Sequence, residues 1–325
     1  MTGRGQGRAS AWAQLLRVSA LFTVPGDALA GTAAAGRGPS RGTVLAAGSS
    51  LCLYEAGMAL NDWADREEDA RERPERPLPS GRIRPAAALA AAGGLTAAGL
   101  ALAARAGRLP LATATALAAT VWSYDLRLNR TPAGPAAMAT ARFLDILLGA
   151  AAAAGTTAPR PLSSAAAPRA RERRARDASR ARDVWGAAAL MGGHTLAVTA
   201  VSRREAQGGA PGVPLAALGA VGAIAACTAR RRTPLTLAAS AVYAATAARP
   251  LLHAALNPSP PLLQRAVGGG IRAMIPLQAA LSAGAGGVRP AASDGERGTG
   301  RELTAAALLA LLPLARRMSR KVSPT

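Results

Sequence analysis

The stretch that decides the reading is Asn61–Ile83, NDWADREEDARERPERPLPSGRI. It places seven acidic residues and five arginines between long runs of Ala, Leu, Gly and Val. Upstream, residues 43–60 hold one charged residue, Glu55, and downstream Pro85–Ala104 holds none. A helix that crosses the hydrocarbon of a bilayer needs about 20 mostly apolar residues. Both flanks come close to that length, so the charged stretch reads as the connection at the mouth of two spanning helices.

Working outward, uncharged runs recur at 184–202, 206–229, 233–248 and 273–288. The chain is 50% hydrophobic but only 3% aromatic, so its apolar content is mainly Ala and Leu. A soluble core draws more on large side chains. Membrane helices, by contrast, use small residues to approach one another closely. The pattern predicts helices over 11–36, 43–62, 85–105, 109–124, 134–157, 184–202, 213–229, 233–253 and 264–285, with an extra short helix over 303–315. Ala-rich runs without alternation argue against barrel strands. The expected fold is an all-α polytopic membrane protein, a bundle of about nine spans, forming a single domain over 1–325.

Two segments stand apart. Residues 159–183 carry eight arginines and no apolar run, which predicts a basic polar loop or a surface helix. With the N-terminus inside, alternate crossings put this segment outside, against the positive-inside tendency. Residues 286–325 form a C-terminal tail holding the extra short helix. At the N-terminus, Arg4 and Arg8 precede an apolar run reaching Ala28-Leu29-Ala30, as in a cleaved leader. Arg17, Pro25, Gly26 and Asp27 interrupt that run, so a retained first helix is expected.

The net charge of +21 invites a nucleic-acid reading. The arginines lie in short connections between apolar spans and aromatics for base stacking are scarce, so no nucleic-acid partner is expected. Arginine near span ends binds headgroups and fixes orientation. One Lys stands against 38 Arg, the usage of a GC-rich genome, and the expected location is a bacterial plasma membrane with the charged mouth facing the cytoplasm. Cys52 and Cys227 lie in apolar runs, and His194 and His253 lie far apart in sequence, so a metal site built on His and Cys is not expected.

Within the charged stretch, Asn61, Asp65 and Asp69 are spaced i, i+4 and i+8, which on a helix lines one face. Oxygen ligands of this kind suit Mg²⁺, which is usually held by one or two carboxylates together with substrate phosphates. Asp62 and Glu68 flank the stripe and add charge to it. Arginines follow at 66, 71, 73, 76, 82 and 84, and guanidinium groups bind phosphate bidentately. Acids and arginines together at one mouth suggest a metal-bridged phosphate. The bland alternative is a solvated loop laced with surface ion pairs.

Asn61-x3-Asp65-x3-Asp69 followed by Arg76-Pro-Leu-Pro-Ser-Gly-Arg82 resembles the first signature of the UbiA-type intramembrane prenyltransferases. Trp122–Pro132, WSYDLRLNRTP, is similar to the family's following loop, with Tyr124, Arg127 and Arg130 in its tyrosine and basic positions. Arg142-x2-Asp145-x3-Gly149 resembles a later helix motif, with Asp145 where Asn is usual, and the whole looks closest to an EboC-like branch. Where the family places two or three carboxylates in a second motif, Ser202–Gly209 offers only Glu205. Asp145 or Glu55 is the alternative source of that charge.

The resemblance implies transfer of an isoprenyl group from an isoprenyl diphosphate to a lipid-like or small-molecule acceptor, aromatic or polyol, with Mg²⁺ as cofactor. It implies catalytic and metal-holding roles for Asp65, Asp69 and Glu205, with Asn61 a further metal ligand. Arg76, Arg82, Arg127, Arg130 and Tyr124 would bind the diphosphate. Glu55, Arg142 and Asp145 would be polar groups of the cavity, because charges inside spans are costly unless they face the bundle interior. His194 reads as a hydrogen-bonding core residue. The shortened second motif keeps open a non-catalytic carrier or assembly partner for a phosphorylated lipid.

Overall fold

The computed structural model describes residues 3–16, 23–154, 167–204, 208–285 and 303–310, and these are helical with no strand among them. The helices are α1 (Gly3–Leu15), α2 (Val24–Ala34), α3 (Arg41–Ala64), α4 (Arg66–Glu72), α5 (Pro85–Ala106), α6 (Arg108–Ser123), α7 (Gly134–Ala154), α8 (Ala167–Ser202), α9 (Gly212–Ala229), α10 (Pro234–Leu256) and α11 (Pro260–Gly284). A further short helix covers 303–310. Six helices are long and apolar enough to span a membrane: α3, α5, α7, the 174–202 part of α8, α9 and α10. Large apolar side chains lie exposed on the outer surface, among them Val44, Leu109, Leu215, Leu237 and Ile271. That is the surface an integral membrane protein offers to lipid.

Two expected boundaries differ. The single helix predicted over 11–36 is two, because α1 ends at Leu15 and α2 begins at Val24 with Pro25 in its first turn. Proline is accommodated there since its missing N–H has no intrahelical partner to lose. In the basic segment, residues 155–166 lie outside the described residues, whereas 167 onward belongs to α8, one helix of 36 residues. The exposed side chains of its polar part form the pairs Arg176–Glu172 and Arg180–Asp177, so polar turns continue a spanning helix into water.

The bundle is built by small residues. α2 and α7 meet where a Cβ on Gly149 would strike the Ala28 backbone and one on Gly31 would strike the Ile146 carbonyl and Ala150 amide. Backbone cannot swing aside as a side-chain tip can. Gly149→Leu is therefore expected to destabilise the protein by at least about 1–3 kcal/mol, the overpacking range. Thermal unfolding in detergent checks this, and an unchanged midpoint would refute the packing argument. His194 is buried, paired with the Tyr243 hydroxyl and the Gly270 carbonyl at 3.0 Å each, as expected of a core histidine.

One core group, with Ala59, Leu60, Leu78, Ile83, Ala88 and Ala92, bears directly on the site. Leu78 and Ile83 come from the charged stretch itself. They tuck its Pro-rich turn against α3 and α5, with Ile83 N–H donating to the Pro77 carbonyl at 3.0 Å. Gly81 adopts φ 72°, a left-handed conformation other residues resist. The turn is thus fixed by two apolar anchors and one glycine, which holds Arg76 in place over α3.

Candidate functional site

α3 ends at Ala64, and Asp65 (φ −89°, ψ 4°) joins it to α4. The helical path still carries through. Asp65 N–H donates to the Asn61 carbonyl and Asp69 N–H to the Asp65 carbonyl, both at 2.9 Å. Asn61, Asp65 and Asp69 keep their register, and Asn61 Nδ2 donates to Asp65 Oδ2 at 3.2 Å.

Four carboxylates collect here in two arginine-bridged pairs. Arg76 lies 2.7 Å from Asp69 and 3.7 Å from Asp62. Arg130 reaches back from the loop before α7 to Asp65 at 2.9 Å and Glu68 at 3.0 Å. The hydrogen bond to Asp65 and the two nearby carboxylates raise Arg130 above its ordinary pKa, so it stays charged. Asp62 and Asp69 are buried, whereas Arg130 is exposed. The inner pair is shielded by protein, whereas the outer one is screened by water and salt.

Asp62 was read from the sequence only as a flank of the stripe. It is instead the partner that shares Arg76 with Asp69. The signal that finds it is the i, i+7 spacing of Asp62 and Asp69, which puts both on one face of a helix whose register carries through Asp65. Among the described residues no three Asp, Glu, His or Cys side chains already converge as a metal cluster. Mg²⁺ needs fewer, since it takes part of its shell from water and phosphate. The oxygens of Asn61, Asp65, Asp62 and Asp69 are of the right chemical kind, so the residues present fit such an ion.

The other expected residues are distributed unevenly. After α6 the chain makes a π-helical turn, Tyr124–Leu128, closed by Asn129 N–H on the Tyr124 carbonyl at 2.9 Å. Such turns recur at functional sites because they re-aim side chains. This one turns Tyr124 and Asp125 toward Asn61 and leaves Arg127 exposed, paired with no carboxylate among the described residues. Arg82 braces the turn instead, donating to the Glu75 carbonyl at 2.6 Å, Gln14 Oε1 at 2.9 Å and Ser80 Oγ at 3.0 Å. Glu205 lies outside the described residues. Arg203, two residues earlier, donates to the Thr131 carbonyl, so the end of α8 adjoins the Arg130 loop.

Below this mouth a cavity of about 240 Å³ runs between α3, α6 and α7. Asn61, Tyr124 and Asp125 line it at one end, and Ser50, Arg142 and Asp145 line it at the other. Gly57 opens the wall, since a Cβ there would lie 2.9 Å from Val121. At the deep end, Arg142 pairs with Asp27 of α2 and lies 3.8 Å from Asp145, which accepts from Ser50 Oγ at 2.8 Å. Gln278 of α11 donates to Asp27 at 2.8 Å. Asp27 and Gln278 were not picked out from the sequence as site residues, because nothing local to them marks a partner more than 100 residues away. Glu55 is buried but is not among the residues lining the cavity.

A helical bundle with an acid- and arginine-rich mouth above a half-open, largely apolar cavity can now be set beside known proteins. The sequence profile of the UbiA prenyltransferase family matches residues 21–275. The chain belongs to the UbiA prenyltransferase family. It is 36% identical over 115 residues to the digeranylgeranylglyceryl phosphate synthase of Methanopyrus kandleri, a match covering 35% of this chain and 41% of that protein. The chain thus aligns with about two fifths of that relative's length. A solved structure concerning digeranylgeranylglyceryl phosphate synthase superposes with a TM-score of 0.58 at 16% identity, over 86% of this chain and 98% of that one. A UbiA homologue from Aeropyrum pernix K1 in the apo state superposes with a TM-score of 0.59 at 18% identity, over 82% and 96%. At such identities the likeness is one of fold, and it makes this UbiA-family bundle the frame in which the mouth and the chamber sit.

Proposed function

We propose that this UbiA-family protein is a Mg²⁺-dependent intramembrane prenyltransferase that moves an isoprenyl group from its diphosphate to a small acceptor. The observation that carries the reading is the placement of two arginine-bridged carboxylate pairs directly above the cavity end lined by Asn61 and Tyr124. Acids and guanidinium groups at the mouth suit a diphosphate, and the largely apolar chamber beneath suits its tail.

Asn61, Asp65 and Asp69, with Asp62 beside them, would hold the metal, and Glu205 would be a further ligand. Bound there, Mg²⁺ supplies positive charge to the departing diphosphate. Arg76 and Arg130 hold carboxylates in the ligand-free arrangement. With a diphosphate present, the same guanidinium groups bind its oxygens, and charge developing on the leaving group meets donors already in position. Tyr124 lines the cavity at the same end. Arg82 acts through the turn that holds Arg76, and Arg127 is a solvent-side contact. The apolar wall keeps water from the electron-poor allylic carbon until the acceptor attacks it. The carbon–oxygen bond to the diphosphate breaks, and the bond to the acceptor forms.

The curated relatives bear a name that specifies a glyceryl phosphate acceptor and geranylgeranyl groups. For this chain the pattern of motifs over roughly residues 11–285 taken together is read as closest to the EboC-like branch, and the acceptor is a small molecule, aromatic or polyol. The active mouth is assigned to the cytoplasmic face of a bacterial plasma membrane, because the short connection 65–84 carries six arginines.

The test is pyrophosphate release by the full chain in lipid with Mg²⁺, over a panel of glyceryl phosphate, phenolic and polyol acceptors, beside Asp65→Ala. Release that needs an acceptor, Mg²⁺ and Asp65 is the expected result. Binding of diphosphate without release under every acceptor would favour the carrier or assembly role instead. Inverted membrane vesicles should turn over externally added substrate, and latency there would overturn the orientation.

A further inference from the structure

We infer that the bundle carries a second binding site, for the phosphodiester of an anionic membrane lipid, at the end opposite the mouth. The site is a half-open cavity of about 160 Å³ between α2, α8, α9 and α11.

Its depth in the membrane follows from α8. That helix reaches the mouth at Ser202, where the next residue, Arg203, donates to the Thr131 carbonyl. Arg182 of the same helix lines the cavity. From Arg182 to Ser202 the helix rises about 30 Å at 1.5 Å per residue, which is the thickness of the bilayer hydrocarbon. The cavity therefore lies at the level of the other headgroup layer. Trp185, beside the cavity-lining Gly186, is 58% exposed, as suits an indole at a membrane interface.

Charge decides what the cavity takes. The charged side chains lining it are Arg182, Asp183 and Arg231. Asp183 accepts from Arg231 at 2.7 Å, which fixes that guanidinium beside the cavity. Arg182 donates Nε to the Ala178 carbonyl of its own helix at 3.4 Å and forms no ion pair among the described residues. Two guanidinium groups are thus set against one carboxylate, and the site holds one positive charge in excess. Arg180 adds to it from above the end of α2, where a Cβ on Gly36 would come 3.1 Å from its Nε. A phosphodiester carries one negative charge on two open oxygens, the pattern a guanidinium fork matches. Leu190 and Leu281 supply an apolar wall beside the charges, against which the upper part of an acyl chain can lie.

A span-end arginine that only snorkels into bulk headgroups needs no cavity. Here the two arginines come from different elements, α8 and the turn after α9. One phosphate between them ties those elements together, and a ligand that binds only the folded bundle stabilises it by mass action.

The experiment titrates the full chain, in an uncharged detergent, with phosphatidylglycerol, phosphatidylcholine or inorganic phosphate and follows the midpoint of thermal unfolding. Phosphatidylglycerol is expected to raise the midpoint saturably, and the other two are not. Arg182→Gln strands no carboxylate and should fold like the unaltered chain. It should raise the half-saturating concentration of phosphatidylglycerol at least about fivefold, the worth of one arginine at an anionic headgroup. Arg105 is an exposed arginine where α5, running from Pro85 beside the mouth, ends on the same far face outside the cavity, and Arg105→Gln should leave that concentration unchanged. An equal shift with phosphatidylcholine would overturn the inference. So would an equal weakening in Arg105→Gln, or a response that Arg182→Gln leaves intact. The same saturable shift with inorganic phosphate alone would overturn the lipid as ligand in favour of free phosphate.

Discussion

Replacing Asp69 with alanine is expected to lower Mg²⁺-dependent pyrophosphate release by at least about 10²–10³-fold, the scale on which losing one preorganised charge-stabilising group acts. Asp69 is buried and lies 2.7 Å from Arg76, which itself lies 3.7 Å from Asp62. Removing Asp69 leaves that guanidinium with Asp62, so the local fold survives while the metal-holding set loses a member. Asp62→Asn is expected to reduce release in the same way, because the two carboxylates share one arginine. Glu67 is exposed and paired only with Arg66 among the described residues, and Glu67→Gln should leave release unchanged. Initial rates at saturating diphosphate, with thermal unfolding as a folding check, separate these outcomes. Full activity in a folded Asp69→Ala protein would remove the carboxylate pair from the mechanism, and so would an equal loss in Glu67→Gln.

The contrast between Asp62 and Arg82 shows where sequence reading ends. Helical spacing alone selects Asn61, Asp65 and Asp69, and the chain keeps that register through the bend. Asp62 shares a face with Asp69 by its i, i+7 spacing, but that Arg76 comes to lie over both is set by how the Pro-rich turn folds back. That turn depends on Leu78 and Ile83 finding a core, which is tertiary information. Arg82 carries the same charge as Arg76 a few residues on, but the turn aims it at Gln14 and Glu75. Six of the nine expected spans, α3, α5, α7, α8, α9 and α10, are long and apolar enough to cross a membrane among the described residues, and these were legible because hydrocarbon thickness sets their length. The start of α8 was open between loop and helix because a polar stretch with paired charges has no apolar period to read. The deep polar cluster was half legible. Arg142 and Asp145 stood out as charges inside a span, whereas Asp27 read as a breaker of the first helix, since its partners come from α7 and α11.

That cluster carries the second large effect. Arg142→Met is expected to destabilise the protein by about 3–5 kcal/mol, the range for breaking a buried ion pair from one side. The guanidinium serves two carboxylates, Asp27, which is fully buried, and Asp145, 3.8 Å away. Without it, both lie in the bundle interior with Gln278 and Ser50 as their nearest polar support. Asp27 belongs to α2, Ser50 to α3, Arg142 and Asp145 to α7 and Gln278 to α11, so four helices are tied through one side chain. Asp145→Asn should cost far less, because Arg142 and Asp27 remain matched in charge and Asn retains an oxygen for Ser50. The two variants thus separate a cluster held by charge balance from one held by shape, since methionine roughly fills the arginine stem whereas asparagine changes only the charge. Thermal unfolding in detergent reads the difference directly. An Arg142→Met protein as stable as the unaltered chain would mean that packing of the four helices, and not this ion pair, fixes the deep wall of the cavity.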